Sequence, residues 1–230
     1  MRCSVLYGAM RDRLDRAALS RMIAGAAAQI REQHPRLSEL DSAAGDGDHG
    51  TAMLRSMDRL EKGFASGPPA CLKTCFQQGG WNLFGADGGA SSSLLGTFFL
   101  GMADGVAANV SSMDCRDLSL AFESGLNAVR QQTKAQPGDK TMMDALVPAV
   151  ATFTATAQNG KSMEAALEEA AHAAKAGAEA TRNFTARYGR ARFLGEKTRG
   201  HQDPGATSIA LLFEGFHDGL REPHGETGNA

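Results

Sequence analysis

Apolar residues return along this chain with the spacing of one helix face after another. Between Asp12 and Gln33, Leu19, Ile23, Ala26 and Ile30 step by four, three and four residues, the repeat of one buried helical stripe. After an aspartate-rich interruption, Met53, Met57, Leu60 and Phe64 continue the pattern until Gly67-Pro68-Pro69 stops it. A short segment, Ala70 to Gln78, comes next. Gly88 to Asn109 then carries a wide apolar face that includes Leu94, Leu95, Phe98, Phe99, Met102 and Val106. Asp114 to Thr133 offers Leu118, Phe122, Leu126 and Val129, and Asp139 to Gln158 offers Met142, Met143, Leu146, Val150 and Phe153. Ser162 to Arg187 is rich in alanine, the strongest helix former. Gly205 to Leu220 presents Ile209, Leu212, Phe213 and Phe216. The links are short and rich in Gly, Pro, Asp and Asn, and neither strand alternation nor an internal repeat stands out. The pattern predicts a single all-α domain over 1–230, with eight helices kept antiparallel by short links. Residues 1–11 and 222–230 are expected to be loose termini.

Length and charge narrow the function. A chain of 230 residues can bury a real core. Its 24 Lys plus Arg against 26 Asp plus Glu leave no basic excess, which argues against nucleic acid or an anionic membrane as partner. Neither an apolar run of about 18 residues nor a leader with a cleavage site is evident, so a soluble, cytoplasmic protein is expected. The cysteines Cys3, Cys71, Cys75 and Cys115 form no CxxC pair and read as reduced, buried thiols. The sequons at Asn109 and Asn183 carry no meaning without secretion.

The candidate chemistry begins at Asp41-Ser42-Ala43-Ala44-Gly45-Asp46-Gly47-Asp48-His49-Gly50-Thr51. Carboxylates within about 4 Å of one another repel by roughly 4 kcal/mol per pair at an effective dielectric near 20. Such a cluster needs a cation or must stay spread in water. Hard, all-oxygen ligation suits Mg²⁺, which keeps waters and phosphate oxygens in its other positions. The glycines let backbone amides approach an anion, and Thr51 falls where a helix could begin. By itself the stretch leaves a metal site and a polar turn equally open. It is not an EF-hand, because Gly50 stands where a third oxygen ligand belongs.

Three further polar, glycine-bearing stretches fall at helix junctions. Gly85-Ala86-Asp87-Gly88-Gly89-Ala90-Ser91-Ser92-Ser93 precedes an apolar helix and reads as a phosphate cradle or, more plainly, an N-cap cluster. Pro137-Gly138-Asp139-Lys140-Thr141 offers Asp139 as a cap and Lys140 as a phosphate contact or a solvated lysine. Gly189 to Lys197, running on through Gly200-His201-Gln202-Asp203-Pro204-Gly205-Ala206-Thr207, is a long basic link with Pro204 at a helix start. Gly160-Lys161-Ser162 is no P-loop, since Ala155 replaces its first glycine and no strand precedes it. His34, His172, His217 and His224 show no partner pattern, whereas His49 and His201 lie within the polar stretches.

In order, Leu40-Asp41 with Gly45-Asp46-Gly47-Asp48-His49-Gly50, Gly88-Gly89-Ala90-Ser91, Pro137 to Met142, and Gly189 to Ala206 form a set of four motifs. With them the chain, from about Asp12 to Leu220, resembles the L subunits of dihydroxyacetone kinases, homologous to the C-terminal domain of the single-chain ATP-dependent enzymes. The resemblance implies a closed barrel of eight amphipathic, antiparallel helices with the nucleotide site at one end. It implies two Mg²⁺ ions on Asp41, Asp46 and Asp48. It further implies ADP or ATP against His49, Gly50, Thr51, Ala52, Ala90, Ser91, Met142, Arg190, Asp203, Pro204 and Gly205. Thr133 stands where the family commonly has glycine, beside the adenine pocket. Arg190 and Lys140 become the electrostatic helpers of phosphoryl transfer. The partners implied are a K-type subunit holding the ketose covalently on its own histidine, a phosphotransferase-system donor subunit, and a second copy of the chain as a homodimer. The ketose is dihydroxyacetone, erythrulose or a similar short sugar. Ser92-Ser93 depart from the family's usual Gly-Pro and are expected to cap their helix. Two other classes remain open: a metal-dependent phosphate-ester hydrolase, and a non-catalytic ADP-binding module that regulates a transcription factor.

Overall fold

The computed structural model describes residues 13–43, 45–65, 71–84 and 89–221. The expected loose termini, the Gly67-Pro68-Pro69 stop, the stretch Gly85 to Gly88, Ala44, Cys3 and His224 lie outside the described residues. The first helix, α1 (Arg16–Ser42), is capped by Asp15, which accepts from the Ala18 amide at 2.8 Å. It runs well past Gln33, through Pro35. A proline there has no amide for the carbonyl of Arg31, and His34 Nδ1 donates to that carbonyl at 2.8 Å. The helix therefore survives its proline, and Asp41 belongs to its final turn instead of to a loop.

The remaining α-helices are α2 (His49–Ala65), α3 (Leu72–Phe84), α4 (Gly89–Asp104), α5 (Cys115–Gln132), α6 (Met143–Gln158), α7 (Met163–Ala180) and α8 (Pro204–Leu220), with 3-10 turns at Thr181–Asn183 and Arg190–Thr198. Each packs against the next in sequence, and α8 packs against α1. The α1–α8 seam is drawn tight by glycines. A Cβ at Gly25 would lie 2.2 Å from the Gly215 carbonyl oxygen, and one at Gly215 would lie 2.4 Å from the Ala26 backbone. Two residues of strand, β1 (Leu14–Asp15), pair antiparallel with β2 (Ser112–Met113) and tie the start of α1 to the α4–α5 link. So short a pair is too brief for alternation to register.

Other predicted helix limits move as well: the short segment Ala70 to Gln78 becomes α3, which runs on to Phe84, and the helix expected to reach Asn109 ends at Asp104. The helix expected from Asp139 begins only at Met143, because Lys140 takes a left-handed φ of 61° that a right-handed helix cannot hold. Asp144 folds that turn back by accepting from the amides of Gly138 at 2.5 Å and Thr141 at 2.7 Å. The alanine-rich helix stops at Ala180, not Arg187. There Thr181 gives its hydroxyl proton to Ala178 and accepts from the Asp203 amide at 2.8 Å, turning the chain aside. Among the described residues no disulfide forms; Cys75 and Cys115 are buried and Cys71 half-buried. No described helix is long and apolar enough to cross a membrane.

The interior gathers on Phe122 of α5. Its ring meets Phe153 of α6 edge-on at 4.9 Å, Phe213 of α8 at 5.5 Å, and stacks near Phe98 of α4 at 6.1 Å and Phe216 at 6.4 Å. Such pairs contribute roughly 0.5–1.5 kcal/mol each beyond burial. Phe122→Ala should therefore cost about 3–5 kcal/mol, the usual range for a buried phenylalanine. Urea unfolding followed by circular dichroism measures it; a loss under about 1 kcal/mol would show that Phe122 does not hold the core.

Candidate functional site

The end of α1 and the start of α2 bring three carboxylates together. Asp41 in the last turn of α1, with Asp46 and Asp48 in the following loop, place carboxylate oxygens within 4.8 Å of one another. The loop needs its glycines for this. Gly47 takes φ 77°, and a Cβ on Gly45 would sit 2.5 Å from Asp41 Oδ1. Asp41 Oδ2 also accepts from the His49 amide at 3.3 Å, at the start of α2. At such spacing each pair of carboxylates repels by about 3 kcal/mol at an effective dielectric near 20. Arg190 answers part of this charge with an ion pair to Asp46 Oδ2. Hard oxygen donors crowded this closely fit Mg²⁺, and Asp41, Asp46 and Asp48 are the residues that would hold it.

His49 ties this corner to α8. Its Nε2 lies 2.8 Å from Ser208 Oγ, and the Ser208 hydroxyl donates to the Pro204 carbonyl at 3.0 Å. Nε2 must then carry the proton and donate. Burial pushes the imidazole pKa below its ordinary 6.5, against the pull of nearby Asp41. Ser92 behaves in a similar way. It does not cap α4 as expected, because it falls on the buried face. It donates to Ser56 Oγ at 2.7 Å, while Ser56 donates to the Ala52 carbonyl at 2.9 Å, so the first turn of α4 is bonded to the second turn of α2. Ser93 donates to the Gly89 carbonyl.

The opposite wall comes from α8 and the turn before α6. Asp203 caps α8, accepting from the Ala206 amide at 2.7 Å, with Pro204 at the first helical position. Burial pushes its carboxyl up to about 7, against that amide and the charge of Lys140. Asp144 is raised as well, by burial. Lys140 is 3% exposed, and burial lowers its pKa while Asp203 and Asp144 oppose the change. Its Nζ donates to the carbonyls of Thr181, at 2.6 Å, and His201.

These walls enclose a cavity of about 750 Å³. Of the residues singled out in the sequence, Asp41, Asp46, Asp48, His49 and Ala52 line it, as do Ala90 and Ser91. Thr133, Lys140, Met142, Arg190 and the run Asp203, Pro204 and Gly205 complete that set. Gly50 and Thr51 do not line it. Gly50 is buried against α1, where a Cβ would lie 2.0 Å from the His34 carbonyl oxygen, and Thr51 is exposed. Phe84, Leu94 and Tyr188 also line the cavity; of these the sequence marked only Leu94, and as part of an apolar helix face. At Leu94 periodicity cannot distinguish a cavity wall from a core, and Phe84 lies beyond the segment expected to end at Gln78. Tyr188, one residue before the Gly189 motif, had adjacency as its only signal. Phe84 touches the exposed ring of Trp81, with centroids 5.8 Å apart.

Fold and site together define a helical protein with a cavity built from helix starts, apolar side chains and a carboxylate cluster. The model of the DAK2 domain matches residues 43–218, and the chain belongs to that family. It is 37% identical to the ADP-binding subunit DhaL of a PEP-dependent dihydroxyacetone kinase of Listeria innocua, over 80% of this chain and 87% of that one. The corresponding Escherichia coli subunit is 36% identical, over 77% and 84%. The L-erythrulose 1-kinase of Mycolicibacterium smegmatis is 35% identical over 82% of this chain and only 33% of its own. Among solved structures, the dihydroxyacetone kinase from C. freundii in complex with AMP-PNP and Mg²⁺ superposes with a TM-score of 0.66 at 28% identity. It covers 86% of this chain and 33% of that one.

A raised carboxyl gives a pH signature. With Asp203 at about 7 in the folded protein and near 3.8 unfolded, its contribution to stability is complete below about pH 4 and is lost as pH rises to 7. Asparagine caps helices as well as aspartate does and carries no charge. Asp203→Asn should melt with the wild type near pH 4 and above it near pH 8, by differential scanning fluorimetry. An equal shift at both pH values would rule out the raised carboxyl.

Proposed function

We propose that this chain is the nucleotide-binding subunit of a kinase for dihydroxyacetone or a similar short ketose. It transfers phosphoryl from Mg²⁺-bound ATP, or from a nucleotide recharged in place, to a ketose held by a separate K-type subunit. The observation that carries the reading is the convergence of Asp41, Asp46 and Asp48 with the first turns of α2, α4 and α8 on one cavity. Helix starts present unpaired amides to phosphate, and clustered carboxylates answer the cation that travels with it. The names of the relatives support the same ligands, since two are ADP-binding subunits and one solved neighbour carries AMP-PNP and Mg²⁺. The helices form a closed, antiparallel barrel with the cavity at one end, a reading supported by the packing of each helix on the next and of α8 on α1.

Within that reading the residues divide by chemistry. Asp41, Asp46 and Asp48 hold magnesium, which neutralises phosphate oxygens when bound. His49, Ala52, Ala90, Ser91 and the start of α8 at Asp203, Pro204 and Gly205 receive the phosphates. Thr133 and Met142 form the wall toward the base. Arg190 meets the charge that develops on the transferring group. Relatives described as subunits of PEP-dependent enzymes support an acceptor subunit and a phosphoryl-donor protein as partners. The acceptor docks over the cavity mouth on the link, where Phe193 is 77% exposed with the Arg192 guanidinium 4.6 Å from its ring centre.

Asp46→Ala and Asp48→Ala should each abolish Mg²⁺-dependent ADP binding in titration calorimetry while leaving the helical circular dichroism intact. Unchanged affinity in both would remove the metal assignment. The purified chain with ATP, Mg²⁺ and dihydroxyacetone should form no product until a K-type subunit is added. Robust phosphorylation by the chain alone would overturn the two-subunit reading. Phe193→Ala should weaken docking by about tenfold, near 1.4 kcal/mol; surface plasmon resonance measures it, and an unchanged constant would move the interface elsewhere.

A further inference from the structure

The geometry points to Lys140 as a positioning residue: it grips both ends of the link that carries Arg190 to the cavity, and its ammonium is not a phosphate ligand. The inference rests on the nucleotide-site reading above. Thr181 and His201, whose carbonyls both accept from Nζ, stand at the two ends of this excursion. Between them the chain doubles back on itself through a series of rungs. The Gly200 amide donates to the Arg182 carbonyl at 2.8 Å, the Ala186 amide to Thr198 Oγ1 at 3.0 Å, and Thr185 Oγ1 to Glu196 Oε1 at 2.8 Å. Arg190 lies beyond the last rung and reaches Asp46. Lys140 thus holds the base of a hairpin-like arm whose far end carries the cation.

The anchor is itself rigid. Lys140 sits in a left-handed conformation that a non-glycine residue keeps only when its surroundings over-determine it. Asp144 clamps the amides on either side of Lys140, and Asp139 takes both the Arg187 amide and the Arg187 guanidinium at 3.1 Å. Two of the three ammonium protons are committed to backbone carbonyls. A phosphate would have to displace them beside the carboxylates of Asp203 and Asp144. The sequence placed Lys140 at a helix start, where direct contact with phosphate was the natural expectation. The bonded partners assign it to the arm instead.

Limited trypsin digestion of the full chain tests the grip without any ligand. Arg190, Arg192, Lys197 and Arg199 are exposed on the arm. Lys140→Met should speed cleavage after these residues at least tenfold while cleavage in the helices and the melting temperature stay near wild type. If Lys140→Met loses its helical circular dichroism, Lys140→Gln, which can still donate to one carbonyl, replaces it in the same assay. Unchanged cleavage in the arm overturns the inference. A second arm uses ketose phosphorylation with a K-type subunit. Lys140→Met should lower turnover at least tenfold in the wild-type background and less than twofold in Arg190→Ala, because it acts through Arg190. Full additivity would make Lys140 an independent phosphate ligand and overturn the proposal. A wild-type chain that phosphorylates no ketose counts against the functional reading, and the digestion alone then decides the role of Lys140.

Discussion

Backbone-to-backbone contact between α1 and α8 is the constraint on which the rest depends. Gly25, Gly215 and Gly219 leave no room for side chains along this seam; a Cβ at Gly219 would lie 2.2 Å from the Arg21 carbonyl oxygen. Because the first and last helices approach so closely, His49 at the end of the α1–α2 turn can reach Ser208 in α8. Arg36 of α1 likewise reaches Gln202 at 2.9 Å, just before α8 begins. The cavity is therefore bounded by the two extremes of the described chain, and its geometry is set by a contact made of small residues well away from it. Close packing of this kind transmits strain, so a methyl group added in the seam would be felt at the carboxylates.

Charge is the second organising quantity. Three carboxylates share one corner, and two more, Asp203 on the opposite wall and Asp144 buried at the start of α6, are raised by burial. Against them stand Arg190, exposed and paired at the surface, and Lys140, buried and bonded to carbonyls. An exposed pair such as Arg190–Asp46 contributes about 1 kcal/mol or less and exchanges readily. A buried ammonium with charge-assisted bonds is fixed by comparison. The two cations therefore differ in kind: one can change partners during a reaction, and the other keeps the structure that carries it in place.

The all-α class was legible because apolar stripes of period 3.6 need only the residues within one helix to be seen. The carboxylate cluster was legible because Asp41, Asp46 and Asp48 are close in sequence. Helix ends were harder. The extension of α1 depends on the His34 ring standing in for the missing amide of Pro35, which no propensity encodes. The late start of α6 depends on the left-handed backbone at Lys140. The role of Lys140 was not readable at all, since its partners are main-chain carbonyls 41 and 61 residues away. Leu94 remained hidden because a helix face looks alike whether it meets a core or a cavity, and Phe84 because its helix runs past the expected end at Gln78.

Trp81, the single tryptophan of the chain, stands 65% exposed beside Phe84, whose ring lines the cavity. One aromatic ring thus separates the only indole from whatever fills the site. The protein carries its own optical reporter: emission excited at the indole band comes from one place and responds to events one side chain away. Filling and emptying of the cavity can be followed in real time without a label, against a background that no second tryptophan confuses.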